Sequence, residues 1–346
     1  MKNFKILSEP RKIYAQMLLD ISRAKKYIFL ETYIYGNDFI GKKFRDLLAK
    51  KAEQGVKVHL LLDSWGSYSV NKFFFDNLIK KGGKVKFFRE IKYILPLFLA
   101  NHERNHRKIL VIDDETAYIG SANITSSCLN WREIVIRFQG PISSHFKDSF
   151  LNSWNYSRIK KVESMLHKGF QIINDFPKKR KGEKKYLQLI RGAQKSILIE
   201  TPYFVPSIRL RRALSDAVSR GVDVKLILPH ISDVKITDII RNRYLGNLYK
   251  KGLKIFFFMP KILHSKLLIV DNKFFLLGSS NVDYRSFMHQ FEINVIGKDP
   301  DLIKELERYY QKELKDCRSF NYKNWKNRSS FRVGIEILLH KIRKYL

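Results

Sequence analysis

A long pattern occurs twice in this chain, and it constrains the fold more than any other feature. Residues 106 to 113 read His-Arg-Lys-Ile-Leu-Val-Ile-Asp, and after six residues comes Gly120-Ser121-Ala122-Asn123. Residues 264 to 271 read His-Ser-Lys-Leu-Leu-Ile-Val-Asp, and after six residues comes Gly278-Ser279-Ser280-Asn281. In both copies His to Lys is two residues, His to Asp is seven and His to Asn is seventeen. A carboxylate follows at nearly the same distance, Glu133 in one copy and Glu292 in the other. Such agreement does not arise from composition, so one active site built by two halves is expected.

The flanking segments replay in the same order. Ile21-Ser-Arg-Ala-Lys-Lys-Tyr-Ile-Phe-Leu-Glu-Thr matches Ile190-Arg-Gly-Ala-Gln-Lys-Ser-Ile-Leu-Ile-Glu-Thr at an offset of 169, and the motif histidines match at 158. The offset falls because the first half carries extra residues between Phe88 and His106, including the apolar stretch Tyr93 to Ala100. Two readings of that stretch stand side by side: a loop covering core, or a lip against acyl chains. Within the first half, periodicity predicts a helix over 11–25, strands over 27–35, 56–63 and 84–88, and helices over 39–54 and 73–81. Strands at 109–112 and 134–138 follow. This alternation predicts an α/β fold, two repeated domains that each wrap a mixed sheet in helices and pack pseudo-symmetrically around one site. Domain boundaries at 1–157 and 185–316 are expected, joined by a basic linker over 158–184 and followed by a basic amphipathic tail over 317–346.

Charge narrows the partners. Lys plus Arg outnumber Asp plus Glu by 66 to 33, a net charge of +33. An anionic partner is expected, nucleic acid or a surface of acidic lipids, and charge alone does not choose. The two cysteines, Cys128 and Cys317, form no disulfide framework or zinc spacing, which points to a reducing compartment. No run of about 18 uncharged apolar residues is present and the N-terminus lacks a signal-peptide core, so a protein kept inside the cell is expected. In the tail, Phe331, Ile335, Leu338, Leu339 and Ile342 recur at helical spacing among basic residues, with Trp325 and Tyr345 near the ends. The pattern fits a helix lying on an anionic bilayer, or one docked on its own domain.

The residue types define a chemistry. Two neutral-range imidazoles on opposite sides of one phosphorus can share a displacement, one attacking and the other protonating the leaving oxygen. Lys108 and Lys266 would face the non-bridging oxygens, where charge grows in the transition state, and period-two alternation puts His and Lys on one strand face. Asn123 and Asn281 would donate to the same oxygens. Glu133 and Glu292 are natural partners for the second histidine nitrogen, fixing its tautomer. Asp113 and Asp271 complete the motifs, although each follows four apolar residues and leaves the strand away from a phosphate, where ion pairing is expected. A lysine beside each histidine and the lack of zinc spacing speak against a metal, and no cofactor is expected. The remaining histidines read as surface or core residues, with His102, four residues before His106, the exception.

Taken together, the doubled His-x-Lys-x4-Asp and Gly-Ser-x-Asn motifs resemble those of the phospholipase D superfamily. Asn105-His-Arg-Lys-Ile-Leu-Val-Ile-Asp, Trp131-Arg-Glu, Glu200-Thr-Pro-Tyr-Phe-Val-Pro and Leu263-His-Ser-Lys-Leu-Leu-Ile-Val-Asp are similar to bacterial cardiolipin synthases in particular. The resemblance runs from about residue 11 to the C-terminus. It implies metal-independent transfer through a phosphatidyl-histidine, joining two phosphatidylglycerols with release of glycerol. It implies His106, Lys108, Asp113, His264, Lys266 and Asp271 as the catalytic set, with one histidine the nucleophile, His106 preferred, and the other the acid/base. A peripheral protein on the cytoplasmic face of the cell membrane is expected, acting as a monomer without obligate nucleic acid. The first copy departs from the family in having Gly120-Ser121 where many synthases have two glycines. The acceptor stays open: phosphatidylglycerol, phosphatidylethanolamine, another alcohol or water. A nuclease using the same histidines on nucleic acid, and an inactive binding protein, are the rival classes.

Overall fold

Apolar strands with two buried faces dominate each half, and they force the chain into layers. In the computed structural model, which describes residues 3–90, 103–155, 165–167 and 169–343, each half forms one mixed sheet. The first sheet has seven strands in spatial order Phe4–Leu7, Val135–Gln139, Thr116–Gly120, Ile109–Ile112, Tyr27–Thr32, Lys57–Asp63 and Lys84–Phe88. The second runs Met165–His167, Phe170–Asp175, Gln290–Gly297, Phe274–Gly278, Leu267–Val270, Ser196–Glu200, Asp223–Pro229, Lys254–Phe258 and Cys317–Ser319. Its inner seven strands repeat the first sheet strand for strand.

Alternation along the motif strands divides their side chains between cores. Ile109 and Val111 enter the core shared by the two halves, and so do Leu267 and Ile269 of the second copy. Leu110 and Ile112 point outward to the helices Pro10–Arg23 and Phe39–Glu53, as Leu268 and Val270 do to the outer core of the second half. Phe146 and Phe150 of helix Ile142–Trp154 and Leu302, Leu306 and Tyr310 of helix Pro300–Lys315 fill the shared core between the sheets. The two halves are therefore fused through a continuous apolar core.

Most expected elements form within a few residues of their expected bounds. The segment expected as a helix over 73–81 is a short 3-10 turn, Phe73–Phe75, followed by Asp76–Lys80. Two boundaries need correction. Part of the expected linker is structure of the second half: Phe170–Asp175 pairs antiparallel with Gln290–Gly297 from Phe170 opposite Gly297 to Asp175 opposite Glu292, and a helix begins at Lys181. The expected tail likewise begins inside the sheet, where Cys317–Ser319 pairs with Phe256–Phe258.

The C-terminal helix Ser330–Lys341 is docked on its own half and still leaves apolar residues outside. Leu339 packs against the outer core and Glu336 is buried against Arg328 at 2.9 Å. Phe331, Leu338 and Ile342 are exposed. Trp325, expected as an interfacial aromatic, is instead a docking residue: its Nε1 donates to the Asn242 carbonyl at 2.7 Å and its ring lies against Gly246, where a Cβ would come within 2.3 Å. Tyr345, the apolar stretch 93–100 and His102 lie outside the described residues. Among the described residues no helix is long and apolar enough to cross a membrane.

Candidate active site

Each motif histidine is pinned by the other half of the molecule. Arg104–Asn105 runs parallel to Gln290–Phe291, and the His106 amide donates to the Phe291 carbonyl at 3.0 Å. Trp131–Arg132 runs parallel to Ile262–Leu263, and the His264 amide donates to the Arg132 carbonyl at 2.8 Å. The residue after each anchoring carbonyl is the motif carboxylate. The backbone pairing thereby delivers Glu292 to His106, 3.0 Å from Nδ1, and Glu133 to His264, 2.9 Å from Nδ1. Both carboxylates are paired across the repeat.

The Gly-Ser-x-Asn segments hold these carboxylates. The hydroxyls of Ser121 and Ser279 donate to Glu133 and Glu292 and accept the amides of Ile134 and Ile293, each at 2.9 Å. The preceding glycines are required by space: a Cβ on Gly120 would lie 2.2 Å from the Ile134 carbonyl oxygen, and on Gly278 2.2 Å from that of Ile293. Sequence reasoning assigned no role to the serines. The signal was present, since serine occupies the same place in both copies.

Burial sets the electrostatics. His106, Lys108, His264 and Lys266 are all at most 5% exposed. Burial, then the neighbouring Lys108 and Lys266 charges, hold His106 well below its ordinary range. Burial also lowers His264, but Glu133 opposes the shift. Lys108 is pushed down by burial and by Lys266, and Lys266 by burial to about 8. Each ammonium donates to the carbonyl of its own histidine, Lys108 at 2.7 Å and Lys266 at 2.6 Å. Burial opposes ionisation of Glu133, yet His264, Lys266 and Ser121 keep its pKa below the usual range, whereas burial raises Glu292. Two cationic groups destabilised by burial form a site whose charge an arriving anion would restore.

Asp113 and Asp271 need correction. Among the described residues neither forms the expected ion pair, and both carboxylates are taken up by backbone amides. Asp113 accepts the backbone amides of Lys25, Lys26 and Tyr27 at 2.6 to 2.8 Å, and Asp271 those of Gln194, Lys195 and Ser196 at 2.7 to 2.9 Å. Both sit at φ 55°, in a left-handed turn that aspartate tolerates, and each ties its motif strand to the start of the adjacent one. Asn123 and Asn281 are buried beside the motif. The Asn123 Oδ1 accepts the Ile34 amide at 3.2 Å, while among the described residues the Asn281 Oδ1 has no hydrogen-bond partner.

Other residues unassigned from sequence support the histidines. Tyr33 meets His106 edge-on at 5.1 Å between centroids, and Trp131 meets His264 at 4.9 Å. Glu31 accepts Asn105 Nδ2 at 2.7 Å and lies 3.2 Å from Arg107, and Asp63 accepts the Asn105 amide at 2.8 Å, so both residues beside His106 are anchored to neighbouring strands. At the matching place in the second half, Glu200 accepts the hydroxyls of Ser265 and, at 2.7 Å, Tyr309. His59, expected as core or surface, is core, stacked on Trp154 at 4.5 Å. Among the described residues no three His, Cys, Asp or Glu side chains converge as metal ligands would.

Comparison with known proteins places this arrangement. A family model described as a cardiolipin synthase, phospholipase D-like domain matches residues 17–154 and again 186–314. The major cardiolipin synthase ClsA of Bacillus subtilis (strain 168) is 33% identical over 343 residues, covering 93% of this chain and 71% of that protein. A cardiolipin synthase of Clostridium perfringens (strain SM101) is 34% identical over 357 residues, covering 95% and 74%. Among solved structures, the phosphatidylserine synthase of Haemophilus influenzae Rd KW20 superposes with a TM-score of 0.78 at 15% identity, over 99% of this chain and 95% of that one, which shows a shared fold.

Proposed function

The chain belongs to the phospholipase D-like cardiolipin synthase family and is a phosphatidyltransferase, and from that premise we propose that it joins two phosphatidylglycerols into cardiolipin and releases glycerol. Support comes from one arrangement: two buried histidines, each oriented through Nδ1 by a carboxylate of the other half, with two buried lysines beside them.

The steps balance without an external reagent. Nε2 of one histidine attacks the phosphorus of a first phosphatidylglycerol, and the bond to the glycerol headgroup breaks. The second histidine, protonated, gives its proton to the departing glycerol oxygen. A terminal hydroxyl of a second phosphatidylglycerol then attacks the phosphatidyl-histidine, losing its proton to the second histidine, and the first is released. Lys108 and Lys266 neutralise charge on the non-bridging oxygens, and Asn123 and Asn281 add neutral donors there. The apolar residues left outside on the C-terminal helix and the +33 charge favour a peripheral position on an anionic membrane, which we place on the cytoplasmic face, with the chain working as a monomer and without nucleic acid or metal.

The direct test incubates purified protein with phosphatidylglycerol vesicles and EDTA and follows the lipids by mass spectrometry. Cardiolipin should appear, and should be missing with His264→Ala. Phosphatidic acid instead would make water the acceptor. No lipid product, with cleavage of single-stranded DNA or RNA, would replace the lipid reaction by a nuclease.

A further inference from the structure

A cavity of about 500 Å³ opens between helix Lys235–Lys250, the edge strand Cys317–Ser319 and the C-terminal helices. Its wall carries four guanidinium groups, Arg241, Arg318, Arg328 and Arg332, against one carboxylate, Asp238. Arg328 is held by Glu336 at 2.9 Å, and Arg241 lies 3.0 Å from Asp238 and donates to the His230 carbonyl at 3.0 Å. Arg241 is 3% exposed, and among the described residues its Nε finds no acceptor. Arg318 and Arg332 are exposed and have no acidic partner among the described residues. The rest of the wall is mixed: Ile231, Ile239, Phe257, Phe320 and Trp325 are apolar, and His230, Asn242, Ser319, Asn321 and Asn324 are polar.

Guanidinium groups without a counter-charge recognise phosphate, and the aromatic and aliphatic side chains beside them give contact area to a ligand that also carries an apolar part. We infer that this cavity is a second, non-catalytic binding site for the phosphate-bearing headgroup of an anionic phospholipid. Its position suits a lipid entering from a bilayer, because Arg332 stands on the same helix as the exposed Phe331 and Leu338. One loop links it to the charges of the catalytic centre. His230 and Ile231 line the cavity, while Asp233 in the same loop accepts the Tyr203 hydroxyl at 2.8 Å and acts on the charge of Lys266 and His264.

The inference does not rest on the transfer reaction, and its test reads binding without turnover. Full-length protein carrying His106→Ala is titrated calorimetrically with dihexanoylphosphatidylglycerol below its micelle concentration, with and without Arg318→Glu plus Arg332→Glu. The added pair of substitutions should remove one equivalent of bound lipid and lower sedimentation with phosphatidylcholine vesicles containing phosphatidylglycerol by about tenfold. Circular dichroism should be unchanged, because both arginines are exposed. In otherwise unsubstituted protein, the two substitutions should leave turnover of dispersed short-chain lipid within about twofold. Inorganic phosphate, titrated alone, should bind at least about tenfold more weakly than the lipid. Unchanged lipid stoichiometry after the substitutions overturns the site, and equal affinity for inorganic phosphate overturns its assignment to lipid.

Discussion

Glu133 lies 2.9 Å from Nδ1 of His264, a residue 131 positions later and in the other half of the repeat. Its carboxylate stays ionised despite burial because His264, Lys266 and Ser121 all favour the charge. An ionised carboxylate only accepts, so the neutral ring keeps its proton on Nδ1 with the lone pair on Nε2, and the proton that the cation donates and takes back is the one on Nε2. Neither half can orient its own histidine, which makes the fused core a requirement of the chemistry. Glu133→Gln keeps the shape but lets the ring take the other tautomer. The expected loss in kcat on phosphatidylglycerol is at least about 100-fold, with KM within a few-fold, by analogy with orienting carboxylates in other triads. Steady-state kinetics decide it; more than half of the wild-type kcat would remove Glu133 from this role.

The two histidines are not equivalent, although their motifs are. The nucleophile must be neutral, and His106 is held well below its ordinary range by burial, Lys108 and Lys266. The general acid must hold a proton, and at His264 the ionised Glu133 opposes the effect of burial. His106 is therefore the expected site of the phosphatidyl intermediate. Acid quenching during turnover, protease digestion and mass spectrometry should find the phosphatidyl group on the peptide containing His106 and not on that containing His264. An adduct on His264 alone reverses the assignment.

Much of this was legible in the sequence because repetition made it so. The motif strands read as apolar runs, and their parity sends Ile109 and Val111 to one core and Leu110 and Ile112 to the other. What was not legible was which half supplies each carboxylate: chain distance says nothing about pairing across a pseudo-symmetric interface, and Glu133 stands nearer in sequence to the histidine it does not touch. The strand Phe170–Asp175 was hidden because its short apolar core, Ile172 and Ile173, runs directly into the basic stretch after Pro177. Asp113 and Asp271 looked catalytic or ion-paired because only their place in the motif was visible; their partners are backbone amides, which leave no mark in a sequence.

Glu200 should make stability depend on pH with a definite sign. Burial, then repulsion by Glu313, pushes its pKa up to about 8, whereas the unfolded chain releases the same proton near about 4.3. Below about pH 4 both states hold the proton and nothing is lost. Between about pH 4 and 8 the folded state alone keeps it, so stability falls as pH rises, then levels off. Gln at this position imitates the neutral acid at every pH. The Tm difference between Glu200→Gln and wild type should therefore shift in favour of the variant from pH 5 to pH 8, by at least about 3 °C. Thermal unfolding followed by circular dichroism measures this. A difference that is flat or moves the other way means Glu200 is ionised in the fold.

The C-terminal helix offers a test in which neighbouring residues should behave in opposite ways. Phe331 and Leu338 are 79% and 63% exposed, while Leu339 packs against the outer core of the second half. If the exposed stripe enters a bilayer, Phe331→Glu with Leu338→Glu removes two apolar side chains from the lipid and adds two charges that an anionic surface repels. Sedimentation with vesicles containing phosphatidylglycerol should then fall about tenfold or more, with Tm unchanged within about 1 °C, because surface positions contribute little to stability. Leu339→Glu should do the reverse at the level of the fold, lowering Tm by several degrees through a charge forced against apolar neighbours. Dispersed short-chain lipid separates membrane contact from chemistry, since the Phe331 and Leu338 variant should turn it over at the wild-type rate. Equal sedimentation of that variant and wild type would mean that the stripe does not touch lipid and that the helix serves only to cover its own domain.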